Sequence, residues 1–275
     1  MARRVFIPFD YSEHAKNTAG YAFGLAKEYG FELIFFHAFQ LPVITAESSF
    51  INYPIEEMIK ENKSALEKEA FRLSELNSAK EIKLKTIVKA GFTTETIIQE
   101  SQEENADIIL MSVTGRNKFG ETMIGSNAIF TARNSKIPVL IIPEKYIFKK
   151  INKLTLAIDT NDEIEKKFSD KIKYWKDIFD ADLEIINIYK KTSNREILQT
   201  IGELNAENEF SHIQHKTFYV NDEVRHGIHD FLSKSKPEIF VLVPKKHNII
   251  ADVFRESLTK HFAYHSEIPI LCITK

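Results

Sequence analysis

Ser135-Lys136-Ile137-Pro138-Val139-Leu140-Ile141-Ile142 is echoed late in the chain by Ser266-Glu267-Ile268-Pro269-Ile270-Leu271-Cys272-Ile273, each residue 131 positions on. The same spacing sets Ile109 on Phe240, Met111 on Leu242 and Ser126 on Ser257. One register therefore holds without a gap, which chance similarity does not produce. A chain of 275 residues is long for one α/β domain and comfortable for two of about 140. The reading is of a tandem pair, residues 1–147 and 152–275, joined by a short linker that carries Lys149 and Lys150.

Working outward from that ending, each half alternates strands and helices. Val5 to Pro8 lead to Asp10, and a helical pattern follows, with Ser12 as N-cap, Ala15, Ala19, Ala22, Phe23 and Ala26 on one face and Gly30 as C-cap. Leu33 to Ala38 is apolar without alternation, the mark of a strand covered on both faces. A helix over about 55–73, a strand near 82–88, a helix near 94–104, a strand at 108–111, a helix from Ser126 and a last strand at 139–142 complete the first half. The second half repeats this with strands at 154–158, 183–189, 218–220, 239–243 and 270–273 and helices near 163–179, 223–232 and 253–264. The expected fold class is α/β: two tandem domains, each a five-stranded parallel sheet with helices on both faces.

Composition narrows the function. Lys and Arg number 37 against 39 Asp and Glu, so no long-range field draws the chain to nucleic acid or to an acidic membrane surface. Cys272 is the single cysteine, which precludes an intrachain disulfide and points to a reducing cytoplasm. The opening ten residues hold too short an apolar run for a leader or a span, and a cytoplasmic location is expected.

In open parallel sheets ligands bind beyond the carboxyl ends of the strands, at the switch point of strand order. After the fourth strand the chain reads Met111-Ser112-Val113-Thr114-Gly115, then Arg116 to Ile124, then Gly125-Ser126-Asn127 and a helix. Glycines let backbone approach a phosphate, and the N–H groups of a helix start can donate to it. The alternative for Gly115, Gly125 and Ser126 is a turn and an N-cap without ligand. Asp10 suits ribose hydroxyls or a bound Mg²⁺, or caps its own following helix. His37 ends a buried strand and reads as a hydrogen-bonded core histidine rather than a base.

This loop, Ser112-x2-Gly115-x9-Gly125-Ser126, resembles the universal stress protein family, whose nucleotide-binding members carry Gly-x2-Gly-x9-Gly-Ser/Thr here. Asp10 closing the first strand, His37-Ala38 ending the second and Pro138 to Ile141 agree with that family. The resemblance implies an adenine nucleotide alpha hydrolase-like, Rossmann-like fold, binding of ATP or AMP, with Mg as an accompanying ion, and pairing through the last strand, as a homodimer or an intrachain pseudo-dimer. It places Pro8, Asp10, Ala38 and Met111 around base and sugar and Gly115, Gly125, Ser126 and Asn127 on the phosphates. Ser112 departs from the family's glycine: its side chain could crowd the nucleotide or resist a positive φ. In the second half the matching residues are Val243, Lys246 and Glu256, so no nucleotide is expected there.

Other chemistries lack their parts. There is no Walker loop, no Gly-x-Gly-x2-Gly after the first strand and no Gly-x-Ser-x-Gly elbow. No nucleophile and base are assembled, so no enzyme is expected beyond slow hydrolysis of bound ATP. His212, His215, His226, His229, His261 and His265 have zinc-like spacings, but metal sites usually recruit cysteine or carboxylates as well and Cys272 sits in a buried strand, so these histidines are read as solvated. Two functions remain: an adenine-nucleotide-binding stress sensor working through the first domain, or a nucleotide-free scaffold acting through protein contacts.

Overall fold

The apolar runs of the sequence become the inner strands of parallel sheets. The computed structural model describes residues 2–40, 55–91, 93–112, 126–158, 166–190, 214–220, 231–242 and 268–273. These fall into two compact units, those up to residue 149 and those from 150 on.

In the first unit the strand order is β3 (Leu84–Ala90), β2 (Phe31–Phe39), β1 (Arg3–Pro8), β4 (Ile108–Ser112), β5 (Val139–Ile142), every neighbour parallel. Leu33, Ile34, Phe35 and Phe36 of β2 are all buried, so both faces of that strand are covered. The chain steps from β1 outward to β2 and β3, then crosses back to β4 and β5. Right-handed crossovers then put α1 (Glu13–Tyr29) and α2 (Ile55–Leu76) on one face, and α3 (Thr93–Glu103) and α4 (Ser126–Asn134) on the other. The contacts agree: α1 packs on α2, and α3 on α4.

The helix ends follow from local chemistry. Ser12 Oγ accepts from the Ala15 N–H at 3.1 Å, satisfying one of the donors a helix start leaves open. Gly30 takes φ 71° and its N–H donates to the Ala26 carbonyl, a left-handed cap that costs glycine little. Between them Ala15, Ala19, Ala22, Phe23 and Ala26 are buried, the face that the helical spacing predicts.

The second unit has the order β10 (Ile270–Cys272), β9 (Ile239–Leu242), β6 (Lys153–Ile158), β7 (Asp182–Lys190), β8 (Gln214–Val220), again all parallel, with helix α5 (Lys166–Phe179). Trp175 and Phe179 of α5 stack at 5.4 Å and are buried. This is the order of the first unit, and single hydrogen bonds repeat with it. The Arg4 N–H donates to Asp107 Oδ2 at 2.7 Å, and the Lys153 N–H donates to Glu238 Oε2 at 2.9 Å, Glu238 standing 131 positions after Asp107. The Ile109 N–H meets the Pro138 carbonyl at 2.9 Å, as the Phe240 N–H meets that of Pro269 at 2.9 Å.

The copies differ inside. Phe6, which faces Ile109, pairs with Ile34 in an apolar core. Thr155, which faces Phe240, pairs with Glu184, and both are buried. Thr155 Oγ1 donates to Glu184 Oε2 at 3.3 Å, and Ser235 Oγ donates to the same oxygen at 3.0 Å. A buried carboxyl group needs such donors, since leaving even a neutral polar group unpaired costs about 2–7 kcal/mol and an isolated ionised carboxylate far more. The expected helix at 253–264, most of that at 223–232, and Val243, Lys246 and Glu256 lie outside the described residues.

Candidate functional site

Strand order reverses in the first unit between β1 and β4, where helices leave the sheet in opposite directions and their starts part. A cleft opens there at the carboxyl ends of the strands. β1 and the turn after it contribute Pro8, Phe9 and Asp10, β2 contributes Phe36, His37 and Ala38, and β4 contributes Met111 and Ser112. The starts of α1, α3 and α4 add Ala15, Thr93 with Ile97, and Asn127 with Ala128. Phe36, Met111, Ile97, Ala15 and Ala128 are buried and make an apolar floor. Asp10, His37, Thr93, Ser112 and Asn127 are less buried and ring it with polar groups. An apolar floor with a polar rim suits a flat ring carrying hydroxyl or anionic substituents. The starts of α3 and α4 on its wall bring backbone N–H groups and the positive ends of two helix dipoles.

Pro8, Asp10, Ala38, Met111, Ser112 and Asn127, all predicted from sequence, are thus brought into one cleft. Ser126 opens α4 beside it. Gly115 and Gly125 lie outside the described residues. Thr93 and Ile97 were not singled out from the sequence. The signal for them is topological: a helix joining β3 to β4 must pass β2 and β1, so its start overlooks the switch point.

Asp10 does not cap α1 itself. Its Oδ1 accepts from the Ser12 N–H at 3.0 Å and the Ser12 hydroxyl at 2.6 Å, and Ser12 in turn caps the helix. Oδ2 accepts no hydrogen bond from the described residues and is available to a ligand hydroxyl. Tyr11, between them, has φ 65°, an uncommon conformation for a bulky residue. Its phenolic oxygen is buried with no hydrogen-bond partner among the described residues, and burial, then the nearby Glu69 carboxylate, pushes its pKa up. Glu69 is held in turn by Arg72, which donates to both its oxygens at 2.8 and 2.6 Å and lowers its pKa.

His37 is half-buried, with Nδ1 2.8 Å from the Phe9 carbonyl. A carbonyl only accepts, so Nδ1 carries the proton. Ser112 ends β4 opposite Ile142 and does not have a positive φ. The backbone therefore does not call for glycine at this position, and only the side chain on the cleft wall distinguishes serine from it.

The Universal stress protein family model matches residues 1–143. This chain belongs to the universal stress protein family. A universal stress protein of Methanocaldococcus jannaschii is 27% identical over 158 residues, which is 53% of this chain and 97% of that protein. One from Thermus aquaticus is 28% identical over 146 residues, 52% of this chain and 99% of its own length. Both matches span about half of this family member. A crystal structure of a universal stress protein from Archaeoglobus fulgidus is similar over 98% of this chain and 94% of its own, with a TM-score of 0.69 and 19% identity. At that identity it shows the fold, here over both units. Among the described residues no helix is long and apolar enough to cross a membrane, and no three His, Cys, Asp or Glu residues gather as metal ligands.

Proposed function

We propose that this protein binds an adenine nucleotide, ATP or AMP, in the cleft of its first unit and uses occupancy as a signal in the cytoplasmic stress response. The observation that carries this reading is the convergence of Asp10, Ala38, Met111, Ser112 and Asn127 on one cleft at the strand-order reversal. The apolar floor would take the base, Asp10 Oδ2 would accept from ribose hydroxyls, and the α4 start would face the phosphates. Mg²⁺, if it accompanies ATP, would answer the charge of Asp10 and the phosphates together. Membership of a family with nucleotide-binding members supports the reading. A second unit that is a degenerate universal stress protein domain would serve a structural or regulatory role, since Glu256 replaces the loop glycine.

Ser112 favours a second reading, a nucleotide-free scaffold, because its side chain stands on the cleft wall. Two measurements separate them. Mass spectrometry of the freshly purified, denatured protein should reveal adenine nucleotide, and calorimetry on the full chain should give about one ATP per chain. Absence of both signals overturns the nucleotide reading in favour of the scaffold.

A further inference from the structure

Pairing of β1 with β2 ends at Pro8 opposite Phe36, yet the next residue is still tied to β2 by both its backbone groups. The Phe9 N–H donates to the Phe36 carbonyl at 2.7 Å. Its carbonyl would be left without a strand partner, and His37 Nδ1 supplies the donor at 2.8 Å. Immediately beyond come Asp10, with Oδ1 committed to Ser12, and Tyr11 at φ 65°. The Tyr11 ring stands edge-on to the His37 imidazole at 5.1 Å and 68°, and to the Phe9 ring at 5.3 Å and 73°. The segment that presents Asp10 is thus anchored on its upstream side by one side-chain donor and on its downstream side by a residue in a sparsely populated conformation, which persists only where its surroundings hold it.

We infer that His37 is a positioning residue, a side-chain latch that closes the end of β1 and sets the turn carrying Asp10 for the ligand. This deepens the nucleotide reading and rests on it for its consequence on binding, but the latch itself belongs to the unliganded protein. It acts through Nδ1 alone. An imidazolium carries the same Nδ1–H donor as this neutral tautomer, so the latch does not depend on the charge of the ring.

Two substitutions separate this from direct contact with ligand. Asparagine at position 37 places an amide donor where Nδ1 stands, whereas glutamine places it where Nε2 stands. In the full-length, ligand-free protein, nitrogen NMR of the His37 ring should show Nδ1 protonated and Nε2 bare at alkaline pH. The Ser12 amide, held by Asp10, should exchange slowly in the wild type and in His37→Asn and lose about tenfold or more of its protection in His37→Gln. ATP affinity should follow the same order, close to wild type in His37→Asn and about tenfold weaker in His37→Gln. A ring protonated on Nε2, equal Ser12 protection in the two variants, or ATP binding kept by glutamine and lost by asparagine overturns the proposal. Should the wild type bind no ATP, the nucleotide reading fails while the tautomer and the Ser12 exchange still decide the latch.

Discussion

The ring of Phe148 lies on the bare α-carbon of Gly24, so close that a β-carbon there would come within 2.5 Å of Phe148 Cγ. Tyr21 and Tyr29, three residues before and five residues after Gly24 on α1, meet the same ring edge-on at 5.2 and 6.4 Å. Because the contact reaches Phe148 Cβ at 2.6 Å, a rotamer change cannot relieve it. Alanine normally stabilises a helix interior by about 1 kcal/mol over glycine. Gly24→Ala should do the opposite, destabilising the protein by about 1–3 kcal/mol through overpacking. Urea unfolding measures the sign directly, and a stabilised variant would show that Phe148 does not sit on α1.

On the outer strand of the same unit, Lys89 Nζ lies 2.9 Å from Glu100 Oε1, and the Glu100 side chain is only 6% exposed. The hydrogen bond that Lys89 donates to the Glu100 carboxylate raises the Lys89 pKa above its ordinary 10.5. A raised folded-state pKa contributes stability that is whole below 10.5 and is lost as pH climbs through the folded value. The first unit should therefore weaken in strongly alkaline solution. Lys89→Met leaves a buried carboxylate without its cation and should cost about 2 kcal/mol at neutral pH, less than for a fully buried pair because Lys89 is half exposed. In that variant the loss above pH 10.5 attributable to Lys89 should vanish. Thermal melting against pH checks both statements.

Strands covered on both faces are legible because an unbroken run such as Leu33 to Phe36 has few other fates. Edges are less so. β8 runs Gln214–Val220, though only residues 218–220 read as strand, since Gln214, His215 and Lys216 lack the apolar signal of an inner strand. β3 begins at Leu84 rather than 82, because the Ile82 N–H closes a turn on the Ala79 carbonyl at 3.1 Å. The strand ends of the cleft were legible through Asp10, Ala38 and Met111, whose positions follow from strand ends. The Phe9–His37 bond was not, because a strand end does not disclose which side chain completes its pairing. Nor does the apolar spacing of the second half reveal that Thr155 and Glu184 would share a buried hydrogen bond.

Cys272 is fully buried in β10, and burial pushes its thiol pKa up to about 12. Only the thiolate reacts, so at pH 8 the reactive fraction should be roughly a thousandfold below that of a thiol with the ordinary value of 9.0. Labelling with a disulfide reagent should be negligible in the native protein and stoichiometric in denaturant. Rapid native labelling would mean that β10 opens frequently.

The cleft prediction turns on two positions of the loop. Ser112 pairs with Ile142 at the end of β4 without a positive φ, so its backbone is at ease and only its side chain takes space from a ligand. Ser112→Gly should then tighten ATP binding by about three- to tenfold, while costing about 0.5–1 kcal/mol of stability for glycine in a strand. Gly125 lies outside the described residues, but it precedes Ser126 at the start of α4, where a backbone N–H would face phosphate. Glutamate there sets a negative charge against a negative ligand. At about 4 Å and an effective dielectric of about 20, that repulsion is roughly 4 kcal/mol, or about a thousandfold in affinity. Gly125→Glu should abolish ATP binding in calorimetry and leave the circular dichroism spectrum unchanged. Binding that survives Gly125→Glu would move the phosphates away from α4, and a Ser112→Gly variant no tighter than wild type would remove the steric account of that residue.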